Sequence, residues 1–307
     1  MKKAGFYCLL LLVLFGLFTG CGATQASETA KQEKSGKVEV MVSFNALREI
    51  AEAIGKDKIE VKTIIPDGTE PHDFEPTARD LKELHSARVF VYNGFDMEKS
   101  WVDKALEAAD NKNLIVVEAA KGAEPIPASG AEEIESGAQN DPHLWLSLKG
   151  AEIEAKNVKN ALIKADPVNK DFYEANYQTF YNQLETLYQE YNQKFQSVKS
   201  KNFVTGHAAF AYLARDFGLK QSSVEDVFAA GEPSAKKLKE LTDYCKTNHI
   251  KTIFVEDMVS PKVSETLANE VGAKAEKIYT LESKEENKDY LQSMRDNLEK
   301  IYQSLQQ

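Results

Sequence analysis

From Lys37 onward the chain sets short apolar runs of strand length, at 38–42, 59–65, 89–92 and 114–117, between stretches of helical periodicity at 45–54, 77–85 and 97–109. Strands that alternate with helices at this spacing build a mostly parallel sheet with helices on its faces. Residues 150 to about 200 break the alternation, with helical patterning and no strand. Proline is tolerated in the first turn of a helix, so Asp166 reads as an N-cap and Pro167 as the start of a helix running to about Val198. The alternation then resumes, with strands at 203–204, 222–224, 252–255 and 277–280 and helices at 208–217, 234–247, 262–271 and 288–305, Ser234 serving as a cap. The expected fold class is α/β: two lobes, each a mostly parallel sheet with flanking helices, joined by one long helix. The boundaries read as an N-terminal lobe over 37–165, a linking helix over 166–199 and a C-terminal lobe over 200–307. No sequence repeat between the lobes is evident.

Phe172, Tyr173, Tyr177, Phe180, Leu184, Leu187, Tyr188, Tyr191 and Phe195 fall near helical spacing within the linking helix. An aromatic ligand box is one reading of this stripe. A helix wedged between two lobes explains it with less, and the stripe is expected to be core.

Ahead of the folded part, Lys2 and Lys3 precede an apolar run over 6–18, the pattern of a secretion signal. At about 13 residues the run is too short to span a bilayer. It ends Phe18-Thr19-Gly20-Cys21, which resembles the lipobox of bacterial lipoproteins apart from Phe18 in place of the usual Leu. That resemblance implies cleavage of a signal peptide over 1–20 and lipidation of Cys21. Two or more acyl chains hold a protein stably on a membrane, so the expected location is the extracytoplasmic face of the cell membrane, anchored by lipid on Cys21. Residues 22–36 are small and polar, the composition of a flexible tether with a reach of at most about 50 Å.

Of 307 residues, 42% are hydrophobic and 28% charged, enough for two lobes of ordinary size. The net charge of −10 argues against nucleic acid and anionic membrane surfaces as partners, and loss of Lys2 and Lys3 with the signal takes it to −12. With three Cys in the chain, Cys8 discarded and Cys21 acylated, only Cys245 is left and no intramolecular disulfide can form. A Cys-rich zinc module is excluded on the same count.

Five His remain. His85 ends a helix and His249 lies in a turn before a strand, positions that the helix dipole and solvent explain without a ligand. The other three lie in loops. His72 belongs to a stretch rich in Pro, Gly and carboxylates, His143 precedes the helical region, and His207 follows a strand at a helix start. In open α/β sheets, ligands bind in the crevice beyond the strand carboxyl ends. The three are 71 and 64 residues apart, too far for a local finger or a helix-borne motif, so any site they form is assembled by the fold.

Gly68-Thr69-Glu70-Pro71-His72-Asp73-Phe74-Glu75-Pro76, Asp141-Pro142-His143-Leu144-Trp145-Leu146 and Gly206-His207-Ala208-Ala209-Phe210-Ala211-Tyr212-Leu213 resemble the three His motifs of the metal-binding lipoproteins of bacterial ABC importers, the zinc and manganese solute-binding protein family. Glu232-Pro233-Ser234 and Ile253-Phe254-Val255-Glu256 are similar to that family's C-terminal lobe. The similarity covers the chain from Lys37 in motif order and spacing. It implies two lobes joined by a rigid long helix with metal between them, and it places ligands at His72, His143 and His207. Manganese members usually carry Glu at the third position, where this chain has His207. The family's fourth ligand is commonly the Asp of an Asp-Pro-Leu stretch; here the sequence is Tyr279-Thr280-Leu281-Glu282-Ser283, and Glu282 is the candidate, with Glu285 or a water as the alternative.

Three imidazoles and a carboxylate suit tetrahedral Zn²⁺, whereas Mn²⁺ prefers more oxygen, and nitrogen-rich sites bind Zn²⁺ more tightly than Mn²⁺. Many zinc members carry a His-rich loop between the first two motifs; here 121–140 holds Glu124, Glu132, Glu133 and Glu135 and no His, and reads as a solvated acidic loop. The resemblance implies a receptor and not an enzyme: a monomer that captures Zn²⁺ as cargo for an ABC permease and its ATPase. The competing readings are a manganese receptor, a zinc hydrolase with Glu70 or Glu75 as base, and a surface adhesin. No His-Glu-x-x-His or Gly-x-Ser-x-Gly motif supports the hydrolase.

Overall fold

The computed structural model describes residues 36–128, 139–228, 233–256 and 260–306. The signal, Cys21, the tether, Glu132, Glu133 and Glu135 of the acidic loop, and Glu232 lie outside the described residues.

Two four-stranded sheets carry the fold. The first takes β1 (Val38–Val42), β2 (Ile59–Thr63), β3 (Val89–Tyr92) and β4 (Ile115–Glu118) in the order β2-β1-β3-β4, all parallel. The second takes β5 (Asn202–Thr205), β6 (Lys220–Ser223), β7 (Thr252–Val255) and β8 (Lys274–Lys277) in the order β6-β5-β7-β8, again all parallel. The two sheets therefore share one topology although their sequences show no repeat. Each reverses its strand order at its first strand, and the crevice such a reversal opens lies beyond the strand carboxyl ends.

The flanking helices of the first sheet are α1 (Asn45–Gly55), α2 (Ala78–Ser86), α3 (Val102–Ala109) and α4 (Leu148–Ala165). Then comes α5 (Lys170–Ser197), 28 residues and about 42 Å long, which links the two sheets. The second sheet is flanked by α6 (Ala211–Phe217), α7 (Ala235–Thr247), α8 (Pro261–Val271) and α9 (Tyr290–Ser304). Ser234 caps α7 as its sequence predicts, accepting the Lys237 N–H at 3.2 Å. Among the described residues no helix is long and apolar enough to cross a membrane.

The stripe on α5 is core. Tyr173, Phe180, Leu184, Leu187, Tyr191 and Phe195 are buried, and they join one apolar cluster that includes Val40 and Phe90 of the first sheet and Phe203 and Phe254 of the second. Because this cluster is continuous, the two sheets share hydrophobic burial.

Several boundaries differ from the sequence reading. Asp166 is the N-cap and Pro167 opens the first turn as expected, but of a short 3₁₀ turn over Pro167–Asn169 ahead of α5; the Asp166 carbonyl accepts the Asn169 N–H at 3.2 Å, while its carboxylate takes no backbone N–H and accepts from Asn169 Nδ2 at 2.7 Å and Tyr173 Oη at 2.8 Å. The helix expected from 97 begins at Val102, because Phe95 and Asp96 take left-handed backbone and Glu98 accepts the N–H groups of Asn93 and Gly94 at 2.8 and 3.0 Å. The helix expected from 208 begins at Ala211. The last strand is Lys274–Lys277 and not 277–280, since the apolar residues Ile278, Tyr279 and Leu281 pack into the core from a loop.

Leu184 is fully buried on α5, so Leu184→Ala leaves a cavity in the shared core and should lower unfolding free energy by about 3 kcal/mol. Denaturant unfolding measures it; an unchanged midpoint would show that the stripe is not core.

Candidate metal centre

The site forms where loops following both sheets meet. His207 stands two residues past β5, and its carbonyl is held by Thr205 Oγ1 at 2.6 Å and Gln221 Nε2 at 3.1 Å. Gly206 is needed in this turn because a Cβ there would run into the Glu256 carboxylate. Glu256 directly follows β7 and is buried; its Oε1 accepts the His207 backbone N–H at 3.4 Å and lies 3.9 Å from His207 Nδ1.

His143 is fully buried ahead of α4, and Asp141 orients it. One carboxylate oxygen, Oδ1, accepts both the His143 backbone N–H and the ring Nδ1–H, each at 2.9 Å. Holding the proton at Nδ1 leaves the Nε2 lone pair facing outward. That Nε2 lies 3.3 Å from Nε2 of His207. Two nitrogens bound to one tetrahedral Zn²⁺ at about 2.05 Å stand about 3.3 Å apart, so the pair is already at the spacing of two ligands on one ion.

His72 reaches the same place from the loop after β2. Its ring centroid lies 5.3 Å from that of His143 and 6.5 Å from that of His207, and the edge of Phe228 packs on it at 5.0 Å. Neither ring nitrogen of His72 has a hydrogen-bond partner, and its Nε2 lies 4.0 Å from Glu70 Oε1. Glu282 closes the group; its Oε2 accepts from Thr280 Oγ1 at 2.7 Å while buried Oε1 has no partner. One donor atom from each of His72, His143, His207 and Glu282 lies within 4.8 Å of every other.

The electrostatics favour a cation. Burial, then the neighbouring His143, holds the His72 and His207 rings well below the usual imidazole range, so both stay neutral with lone pairs free. Burial, then the nearby Glu70, pushes the Glu282 carboxyl well above the ordinary carboxylate range, and burial raises Glu256 to about 8. A buried polar atom without a partner costs about 1–3 kcal/mol, and His72 and Glu282 Oε1 bring such atoms to the place where the Nε2 atoms of His143 and His207 face each other. A divalent ion at their centre would satisfy them together.

All four candidates from the sequence are thus brought together. Glu285 is not in the group; its carboxylate pairs with Lys277 at 3.4 Å. Glu70 borders the site, while Glu75 is exposed. His85 gives its Nδ1 to the Ala109 carbonyl at 2.6 Å, and His249 is exposed with φ of 55° in the turn after α7. The sequence reading assigned no role to Asp141 or Glu256. Their signals were present: a carboxylate two residues before His143, and one directly past the β7 run.

A protein of Treponema pallidum (strain Nichols), named only for metal binding, is 41% identical over 305 residues, covering 97% of this chain and 96% of that one. The high-affinity zinc uptake system protein ZnuA of Bacillus subtilis (strain 168) is 36% identical over 308 residues, covering 96% of each. Among solved structures, the Zn(II)-bound ZnuA-like domain of Streptococcus pneumoniae AdcA superposes with a TM-score of 0.75 at 34% identity, covering 89% of this chain and 100% of that one. The sequence profile of ZnuA, zinc-uptake complex component A, periplasmic, matches residues 40–304, and the chain belongs to that family.

Proposed function

We propose that this protein captures Zn²⁺ outside the cytoplasm, with His72, His143, His207 and Glu282 as ligands, and delivers it as cargo to the permease of an ABC importer powered by its ATPase. The observation that carries this reading is the convergence of three imidazoles and one carboxylate, with two of the ring nitrogens at the separation a tetrahedral ion sets. Four protein donors complete a tetrahedral set, whereas a catalytic zinc keeps one position for water, so the arrangement favours capture over hydrolysis. Nitrogen-rich coordination also favours Zn²⁺ over Mn²⁺.

In this reading residues 1–20 are a signal peptide, Cys21 carries lipid, 22–36 tether the receptor beside its permease, and lobes over 37–165 and 200–307 hold the ion between them, joined by 166–199. The receptor acts as a monomer.

Zinc must displace protons. Because burial keeps His72 and His207 neutral, little of that competition near pH 6 comes from their rings, and the proton to be lost is the one the raised Glu282 carboxyl retains. Binding should weaken as pH falls, since protonated Glu282 gains population. Near pH 6, about 1.5 units above an ordinary Glu, zinc uptake should release a proton that Glu282→Gln does not release. Calorimetry in buffers of different ionisation heat reads this; equal release by both proteins would remove Glu282 from the ligand set.

Among the histidines, His207→Ala should lose zinc affinity by orders of magnitude and His85→Ala should not, as measured by competition with a chromophoric chelator. Comparable losses would sink the assignment. For the anchor, Cys21→Ala should move the protein from the membrane fraction to the soluble fraction, and an unchanged distribution would contradict lipidation.

A further inference from the structure

The loop that carries Glu282 is held from outside itself. Leu281 adopts left-handed backbone, φ 58°, and the carbonyls of 281, 282 and 283 all meet one residue at the start of α1. Asn45 Nδ2 donates to Ser283 O at 3.1 Å, to Leu281 O at 3.4 Å and to Glu49 Oε1 on its own helix at 3.2 Å, and the Asn45 backbone N–H donates to Glu282 O at 3.3 Å. The amide's other end fixes its orientation: Oδ1 accepts from the Arg48 guanidinium, and a flipped amide would turn that oxygen onto two carbonyl oxygens. Asn45 is 1% exposed.

The same cluster reaches the loop of His72. Arg48 lies 3.8 Å from Asp67 Oδ2, Asp67 Oδ1 accepts the Lys284 N–H at 3.0 Å, and the Gly68 N–H donates to Ser283 Oγ at 2.8 Å. The segments flanking the first and fourth ligands are thus stitched to each other beside a side chain that belongs to neither.

We propose that Asn45 is a positioning residue for zinc that acts through Glu282, fixing the Glu282 loop against the His72 loop so that the carboxylate closes the coordination set. The inference rests on Glu282 being a ligand. Without the amide, the carbonyls of Leu281 and Ser283 lose their side-chain donor while that of Glu282 keeps the backbone N–H, the loop loosens, and a water can take the place of the carboxylate while the imidazoles stay.

A double-mutant cycle tests this, with zinc affinity measured by chelator competition for wild type, Asn45→Ala, the isosteric Asn45→Asp, Glu282→Ala and the Asn45→Ala/Glu282→Ala pair. Each Asn45 variant should weaken zinc binding by about 10–100-fold, the range for groups that orient ligands. In the Glu282→Ala background, Asn45→Ala should change affinity by less than about twofold, because the two act as one unit. Co²⁺-loaded Asn45→Ala should also keep a tetrahedral visible band, shifted from that of wild type toward that of Co²⁺-loaded Glu282→Ala. Asn45→Asp keeps the test available should Asn45→Ala fail to fold. Wild-type affinity in both Asn45 variants, with Glu282→Ala weakened, would overturn the positioning role. So would an equal loss from Asn45→Ala in both backgrounds, which would mark a general effect on the fold. Wild-type affinity in Glu282→Ala would instead remove the ligand reading, and this inference with it.

Discussion

His143 and His207 come from loops 64 residues apart, yet their Nε2 atoms face each other at 3.3 Å with no water layer between. Two buried imidazoles this close must each be held from behind. Asp141 does this for His143 by fixing the proton on Nδ1, and Glu256 takes the backbone N–H of His207. Much of the rest of the structure serves to keep that spacing. Tyr212 of α6 donates to the Asp141 carbonyl at 2.7 Å, Trp145 Nε1 donates to the Thr280 carbonyl at 2.7 Å, and Tyr290 of α9 donates to the Trp145 carbonyl at 2.6 Å. These bonds cross between the loops of the two sheets, and α5 buries its stripe in the core the sheets share.

Such a site is costly to keep empty. Partnerless buried atoms on His72, His207 and Glu282 are each unfavourable, and the raised Glu282 carboxyl shows that the site resists charge without a counter-ion. A cation held there would satisfy Glu282 Oε1 and one ring nitrogen of His72, so binding free energy and folding stability would be coupled through these atoms. In the proposed reading, the latches across the sheets would hold the four candidate ligands in place before an ion arrives, leaving little ordering to be done on binding.

Much of this was legible in the sequence, for reasons that differ by element. β1, β3 and β7 fall where their apolar runs lie, since central strands buried on both faces read as continuous hydrophobic stretches. The edge strands were harder. β6 and β8 are polar and half exposed, so apolarity drew the reading of the last strand onward to Ile278, Tyr279 and Leu281, which serve core packing beneath Glu282 and not a sheet. The shared β2-β1-β3-β4 and β6-β5-β7-β8 order was invisible, because topology constrains pattern far more than residue identity. At the site, histidines in loop motifs stood out, while Asp141, Glu256 and Asn45 did not. Their roles depend on what stands opposite them in space, and a carboxylate or amide in a polar loop has many innocent explanations until its partners are seen.

The most direct test of the account is the first coordination sphere of the zinc-loaded mature protein by X-ray absorption spectroscopy. Four-coordinate zinc with three imidazole nitrogens and one oxygen, which becomes a water oxygen in Glu282→Ala, is the predicted result. Fewer than three imidazoles, or a five- or six-coordinate sphere dominated by oxygen, would contradict it.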